Sequence, residues 1–436
     1  MKPPPTYSLT KLHAQLFLLG VIGLAGCRPP AWSQVDSSQN RVVDASFTPG
    51  STSGRKRAIP VAPLPPMGSV AARLEGFERT NSIHVVTGNV DFRIERSGNQ
   101  VTCSDGRRGD WILIEPEGTR GLHVGEKLYR GSMLILPHSS NGISVINHVP
   151  MEDYVRGVVA KELAIWSAPP ALLEAQAIAA RSYAQAQLRG RPGKSARVVL
   201  SDSILDQAYG GEYQPGSGAG AQKADKRLRQ AVKATRDLVL VVNGRVLDSR
   251  FHATCGGRTA SFESVFSETD PGGMAPVECP GCRDADPTSS VHWDWTADSN
   301  ALRSLAQDLG LGSQIQRVFP IRRDDVGRWL EVRVVGDRGG RNVDSTRLRQ
   351  KLGYTNLKST WITGTAPTPG RPIDGQIRFQ GRGRGHGVGF CQTGARVLAD
   401  QGWNSRQILG KYFPLAGLSR LSSRAHPSTS SSRSSR

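Results

Sequence analysis

Glu162 sits where a solvated carboxylate is not expected. Read at about 100° per residue, the segment 150–163 (PMEDYVRGVVAKEL) predicts a helix whose Tyr154, Val155, Val158 and Val159 share one face, with Glu162 in the middle of that arc. Asp153, Arg156, Ala160 and Lys161 take the opposite side. A carboxyl partly withdrawn from water has a raised pKa, so it holds its proton closer to neutrality and can deliver it in a reaction. The plainer alternative is a helix-end glutamate bonded to nearby backbone or to an arginine. A second predicted helix, 171–188 behind Pro169-Pro170, carries Gln176 among Leu172, Ala179, Ala180 and Tyr183, with Arg181 on the border of that face. Its many alanines allow close helix approach, so these polar groups could converge with Glu162 on one cleft. The sulfur residues offer a second chemistry. Cys279-Pro280-Gly281-Cys282 has metal-ligand spacing, and His252 and Cys255 could complete a tetrahedral zinc site. A disulfide between Cys255 and one of that pair is the competing reading, and Cys103 and Cys391 read as buried thiols or a second bridge.

A glycine-rich motif supplies the third group of candidates. Gly383, Gly385, Gly387 and Gly389 alternate with Arg384, His386, Val388 and Phe390, which predicts an extended segment with one bare face that a sugar ring or another strand can approach. It is no phosphate loop, because neither a Walker lysine nor a strand-to-helix Rossmann context accompanies it. Gln392-Thr393 then opens a helix. His386 could orient Glu162, bind a sugar hydroxyl, or bond only to backbone.

The run 149–184 (VPMEDYVRGVVAKELAIWSAPPALLEAQAIAARSYA), then FHATCGGRT (251–259) and GRGHGVGFCQTGA (383–395), resembles the SpoIID/LytB family in the family's own motif order. The likeness runs from near His123 to about Leu418. It implies peptidoglycan lytic transglycosylase chemistry, or the amidase-enhancing role of other members, with Glu162 in the catalytic acid position. Leu163-Ala164 departs from the family's usual Met-Pro, while Trp166 is kept. Gln176, Arg181, Tyr183, His386 and Gln392 become the residues expected to bind the glycan. Some members carry zinc, which supports a structural zinc site here, and the chemistry itself needs no cofactor. A lone acid suits a transglycosylase. An inverting hydrolase would require a second acid, such as Asp202 or Glu212, facing Glu162 across a water-sized gap.

Lys2 and Lys11 precede the apolar stretch 16–25 (LFLLGVIGLA), which fits a signal h-region and is too short to span a bilayer. Leu24-Ala25-Gly26-Cys27 looks like a lipobox, so Cys27 is expected to carry a lipid tether; an ordinary cleaved export signal is the alternative. Either route places the protein in the cell envelope. Among 436 residues the formal net charge is +19, which favours anionic envelope polymers, while nucleic acid is set aside because no recognisable binding motif accompanies the charge. The expected layout is a signal peptide at 1–27, a Pro/Ser-rich spacer at 28–80, the catalytic region at 81–418, and a basic serine-rich tail at 419–436. Within 81–418, a β-rich part (81–148) leads into core helices and a hairpin (149–295), a possible subdomain (296–370), and the glycine motif with closing helices (371–418). The expected fold class is α+β: an antiparallel β-rich N-terminal part, then a helical core with hairpins and a smaller inserted subdomain. Expected partners are glycan strands and a wall amidase.

Overall fold

The computed structural model describes residues 68–421, apart from 190–198, 204–205, 267–268, 271, 285–290 and 367–374. Cys27, the h-region, most of the expected spacer and residues 422–436 of the tail lie outside the described residues.

Apolar runs divided by turns give two antiparallel-dominated sheets ahead of the first helix. One runs in the order Leu200–Ser201, Ser69–Leu74, Ile143–Pro150, Ser132–Pro137, Ile112–Ile114. The other joins Arg108–Gly109, Gln100–Cys103, Val90–Ser97, Ser82–Thr87, Leu122–Val124 and Lys127–Tyr129. The spacer expected to reach residue 80 stops earlier, because Ser69–Leu74 pairs antiparallel with Ile143–Pro150 across six residue pairs. Val70, Ala72 and Leu74 supply the inward alternation that earns it a place in the core. The Ile143–Pro150 strand is buried on both faces: Val145 and Val149 face the main core, and Ile146 meets Ala71 and Leu134 on the other side.

That strand passes directly into α1 (Met151–Glu162), whose acidic first turn, Glu152 and Asp153, complements the helix dipole. Tyr154, Val155, Val158 and Val159 are all fully buried. At about 2 kcal/mol for each such side chain, their burial fixes the rotation of α1 and therefore where Glu162 points. α2 (Pro170–Arg189) packs on α1 and on α3 (Ala219–Ala234). After α3, Leu238–Val242 turns back through Asn243 (φ 51°) and Gly244 (φ 72°), both in the left-handed region that a two-residue hairpin of this twist requires. On its other edge it pairs with Gly417–Arg420, so the expected tail boundary at 419 moves beyond that strand. Arg156, expected on the solvent side of α1, is instead buried in ion pairs with Glu212 (2.9 Å) and Asp225 (2.6 Å).

The short α4 (Phe262–Phe266) and α5 (Pro280–Arg283) precede a separate hydrophobic core. This second core gathers α6 (Ser299–Asp308), the strands Ile315–Arg323, Trp329–Gly336 and Gly339–Asp344, α7 (Ser345–Leu352), and the sheet of His292–Ala297, Ile377–Arg382 and Ile362–Ala366. The chain then returns to the first core through α8 (Gln392–Asp400) and α9 (Ser405–Tyr412), both packed on α2. The fold is mixed α and β, with antiparallel sheets and helices. Among the described residues no helix is long and apolar enough to cross a membrane.

Candidate functional site

Glu162 is the last residue of α1, at the end where the helix dipole disfavours negative charge. It is half-buried, and its Oε1 accepts the Ala208 backbone N–H at 2.9 Å. Burial raises its pKa above the ordinary value, while hydrogen bonds from Ala208 and from the Gln392 side chain pull the other way without cancelling the rise. Gln392 opens α8 and is itself buried; its Nε2 donates to Gln176 Oε1 at 3.2 Å. Gln176 is fully buried, and its Nε2 has no partner. Glu162, Gln392 and Gln176 thus form one polar group, drawn from the C-terminus of α1, the N-terminus of α8 and the middle of α2. The segment around Ala208 was not singled out by the sequence, because a backbone donor leaves no mark in residue type.

The remaining candidates lie elsewhere. Arg181 is fully buried, and its guanidinium grips Glu152 at 2.8 and 2.6 Å while also donating to Leu238 O at 3.1 Å. The sugar-binding expectation for Arg181 is corrected on that ground: the side chain is fully buried and its guanidinium ties α2 to α1 and the hairpin. Tyr183, buried as well, gives its hydroxyl to Asp206 and lies beneath the Arg250 guanidinium, 5.1 Å from the ring centre. His386 donates from Nε2 to Phe251 O (2.8 Å) and accepts the Val388 N–H at Nδ1 (3.0 Å). Both ring nitrogens are therefore satisfied by backbone, and burial holds its pKa well below the usual value, so the ring is neutral. Of the three readings open for His386, the backbone one describes the structure. The glycine segment is also not extended. Gly387 (φ 87°) and Gly389 (φ 70°) are left-handed, and a side chain at Gly389 would strike Arg250 O at 2.4 Å. The close neighbour is this chain's own segment 250–255, not a sugar.

Two expected second acids are otherwise engaged. Glu212 pairs with Arg130 and Arg156, and Asp202 accepts the Glu75 N–H at 3.1 Å. Neither figures among the groups that shift Glu162. Trp166, in the loop that follows Glu162, is 71% exposed. Its loop is pinned from below: Arg227 donates to Ile165 O and Trp166 O at 3.1 and 2.8 Å, and Arg396 donates to Ser167 O at 2.8 Å.

Cys255, Cys279, Cys282 and Cys391 converge so that their Sγ atoms all lie within 4.8 Å of one another, with Cys282 and Cys391 at 3.5 Å. A tetrahedron of sulfurs around zinc, at about 2.3 Å per bond, has edges of roughly 3.8 Å, so this spacing fits a closed four-thiolate site. All five described cysteines are free, which does not favour the disulfide reading. Backbone N–H groups already point at sulfur: Cys255 N to Cys391 Sγ at 3.2 Å, Gly257 N to Cys255 Sγ at 3.4 Å, and Gly394 N to Cys391 Sγ at 3.4 Å. Such donors stabilise thiolates. The expected fourth ligand, His252, is corrected to Cys391. His252 stands outside the cluster; its Nδ1 donates to Val388 O at 3.0 Å, and burial lowers its pKa to about 4. Cys391 was missed because its partners are more than a hundred residues upstream, although its place as the residue capping α8 was readable.

Residues 139–242 match a family profile described as "SpoIID: Stage II sporulation protein". An uncharacterised protein of Brachyspira hyodysenteriae is 30% identical over 293 residues, covering 65% of this chain and 70% of that protein. Stage II sporulation protein D of Bacillus amyloliquefaciens is 26% identical over 337 residues, covering 74% and 87% respectively. The amidase enhancer of Bacillus subtilis is 25% identical over 310 residues, covering 60% of this chain and 39% of the enhancer.

Proposed function

This chain belongs to the SpoIID family, and from that premise we propose that it is an exported peptidoglycan lytic transglycosylase in which Glu162 is the only acid and base. The observation that carries the reading is the environment of Glu162: half-buried at a helix end, raised in pKa by burial, and with no carboxylate of the described residues among the groups that shift it.

In this mechanism protonated Glu162 donates to the glycosidic oxygen leaving C1 of N-acetylmuramic acid, and the C1–O bond breaks with its electron pair going to that oxygen. The carboxylate then takes the proton of the same sugar's C6 hydroxyl, whose oxygen closes on C1 to give a 1,6-anhydro end. The proton lent is recovered and no water is consumed. An ordinary glycosidase would need a paired carboxylate. Gln176 holds Gln392, Gln392 orients the acid and offers an amide hydrogen bond to the sugar, and Trp166 presents an aromatic surface to the apolar face of a pyranose. The four cysteines hold a structural zinc, which supplies cross-linking to the fold and takes no part in the reaction. Cys27 carries the lipid that tethers the enzyme to the membrane.

The test is digestion of purified glycan strands by the wild type and by Glu162→Gln, with mass detection of anhydro-muramic ends. Such ends are expected from the wild type alone; their formation by both proteins or by neither removes the acid role. The likeness to an amidase enhancer favours a second reading, a noncatalytic activator of a wall amidase. In that case Glu162→Gln would stimulate an added amidase as well as the wild type does, and neither protein would form anhydro ends.

A further inference from the structure

Arg328 stands just ahead of the strand Trp329–Gly336 and belongs to the second core by chain position, yet its side chain is fully buried against the cysteine cluster of the first. Its Nη2 donates to the backbone carbonyls of Cys255 and, at 3.1 Å, Arg258. Its Nε and Nη1 have no hydrogen-bond partner. The guanidinium lies over the Trp361 ring at 4.8 Å, and the bare backbone of Gly387 leaves room for it, since a Cβ there would come 2.9 Å from Cζ. Among the described residues Arg328 forms no ion pair. The neighbouring carboxylate, Asp324, uses one oxygen, Oδ1, to cap the N–H groups of Val326 (3.0 Å) and Arg328 (2.8 Å); its Oδ2 is buried without a hydrogen-bond partner and contributes negative charge near Arg328 without bonding to it.

A buried cation with two unsatisfied donors and no hydrogen-bonded acid is costly, and nearby negative charge offsets that cost; the single carboxylate of Asp324 is one source. The cysteine cluster is the larger one, with Cys255 acting on Arg328 ahead of Asp324. Four thiolates around one divalent cation keep a surplus of two negative charges, and the three backbone N–H groups aimed at sulfur disperse that surplus without neutralising it. We propose that Arg328 is the counter-ion of the Cys255, Cys279, Cys282 and Cys391 centre, and that through it the docking of the second core onto the first depends on the metal held there. The inference rests on the zinc reading given above. Arg328 is a positioning residue in it, and no step of glycan cleavage passes through it.

The experiment measures zinc in the purified full chain and the rate at which a chromogenic chelator withdraws it, for the wild type, Arg328→Lys and Arg328→Gln, with limited proteolysis of residues 291–366 followed in parallel. The wild type is expected to hold one zinc per chain. Arg328→Gln should release it about 10 to 100 times faster, the range found when an outer partner of a metal site is lost, and chelation should expose 291–366 to protease. Arg328→Lys keeps the charge and should stay within about tenfold of the wild type on the same scale. If both variants release zinc as slowly as the wild type, or both equally fast, charge is not what Arg328 supplies and the proposal is overturned. Should Arg328→Gln not accumulate as folded protein, Arg328→Lys decides alone: fast release overturns the proposal and near-normal release supports it. Wild-type protein free of zinc overturns the metal reading itself, and with it this inference, which separates that failure from failure of the counter-ion role alone.

Discussion

The cysteine cluster and the polar group around Glu162 touch at the Cys391–Gln392 peptide bond, yet they are finished to different degrees. Around the sulfurs, buried backbone donors point inward and solvent is excluded. Around Glu162, one backbone N–H and one amide approach a half-buried carboxyl, and Gln176 keeps an unused donor. A closed, saturated group of polar atoms suits permanent holding, and its loss should be felt as instability. A half-buried carboxyl at a helix end, still partly reached by solvent, suits a visiting molecule, and its loss should be felt as inactivity.

That contrast can be broken at several points. The largest effect is expected on the sulfur side. Chelation under reducing conditions, or Cys255→Ser, should lower Tm by well over 10 °C, because structural zinc in thiolate sites contributes on the order of 10 kcal/mol to folding. A thermal melt unchanged by chelator would show that the cluster does not hold the fold. Next comes Arg181, which the contrast assigns to holding. Arg181→Met strands the half-buried Glu152 carboxylate and should cost about 1–3 kcal/mol in denaturant unfolding, while each folded molecule still cleaves glycan. Stability near that of the wild type together with lost cleavage would return Arg181 to the sugar site. The smallest effect is also the sharpest. Glu162 has a folded-state pKa raised by burial, so its ionisation weighs against the fold: its contribution is most favourable below the unfolded pKa and is lost as pH rises through the folded one. Glu162→Gln should therefore match the wild type at about pH 4, near the unfolded glutamate pKa. At neutral pH it should be more stable by on the order of 1 kcal/mol. A stability difference flat across that window would mean the carboxyl is well hydrated.

Much of this was legible in the residues. The period of Tyr154, Val155, Val158 and Val159 located α1 and aimed Glu162, because that signal is local and acts through burial. Gln176 was expected near Glu162 from polar positions on two helices, whereas Gln392 came through the family resemblance. What stayed hidden depends on pairing at a distance. The strand Ser69–Leu74 looks like the end of a spacer until Ile143–Pro150 gives it a neighbour, and Arg181 looks like a ligand contact until Glu152 comes within 2.6 Å. The alternating glycines suggested a strand because composition reports the missing side chains and not the sign of φ.

The bond joining Cys391 to Gln392 also sets a timetable. In the finished molecule Gln176 meets an amide 216 positions later in the chain, and the fourth sulfur arrives one residue ahead of that amide. A growing polypeptide can assemble its early sheets and α1 long before either centre is complete. A single late stretch of synthesis then delivers both at once, so neither centre is complete ahead of the other.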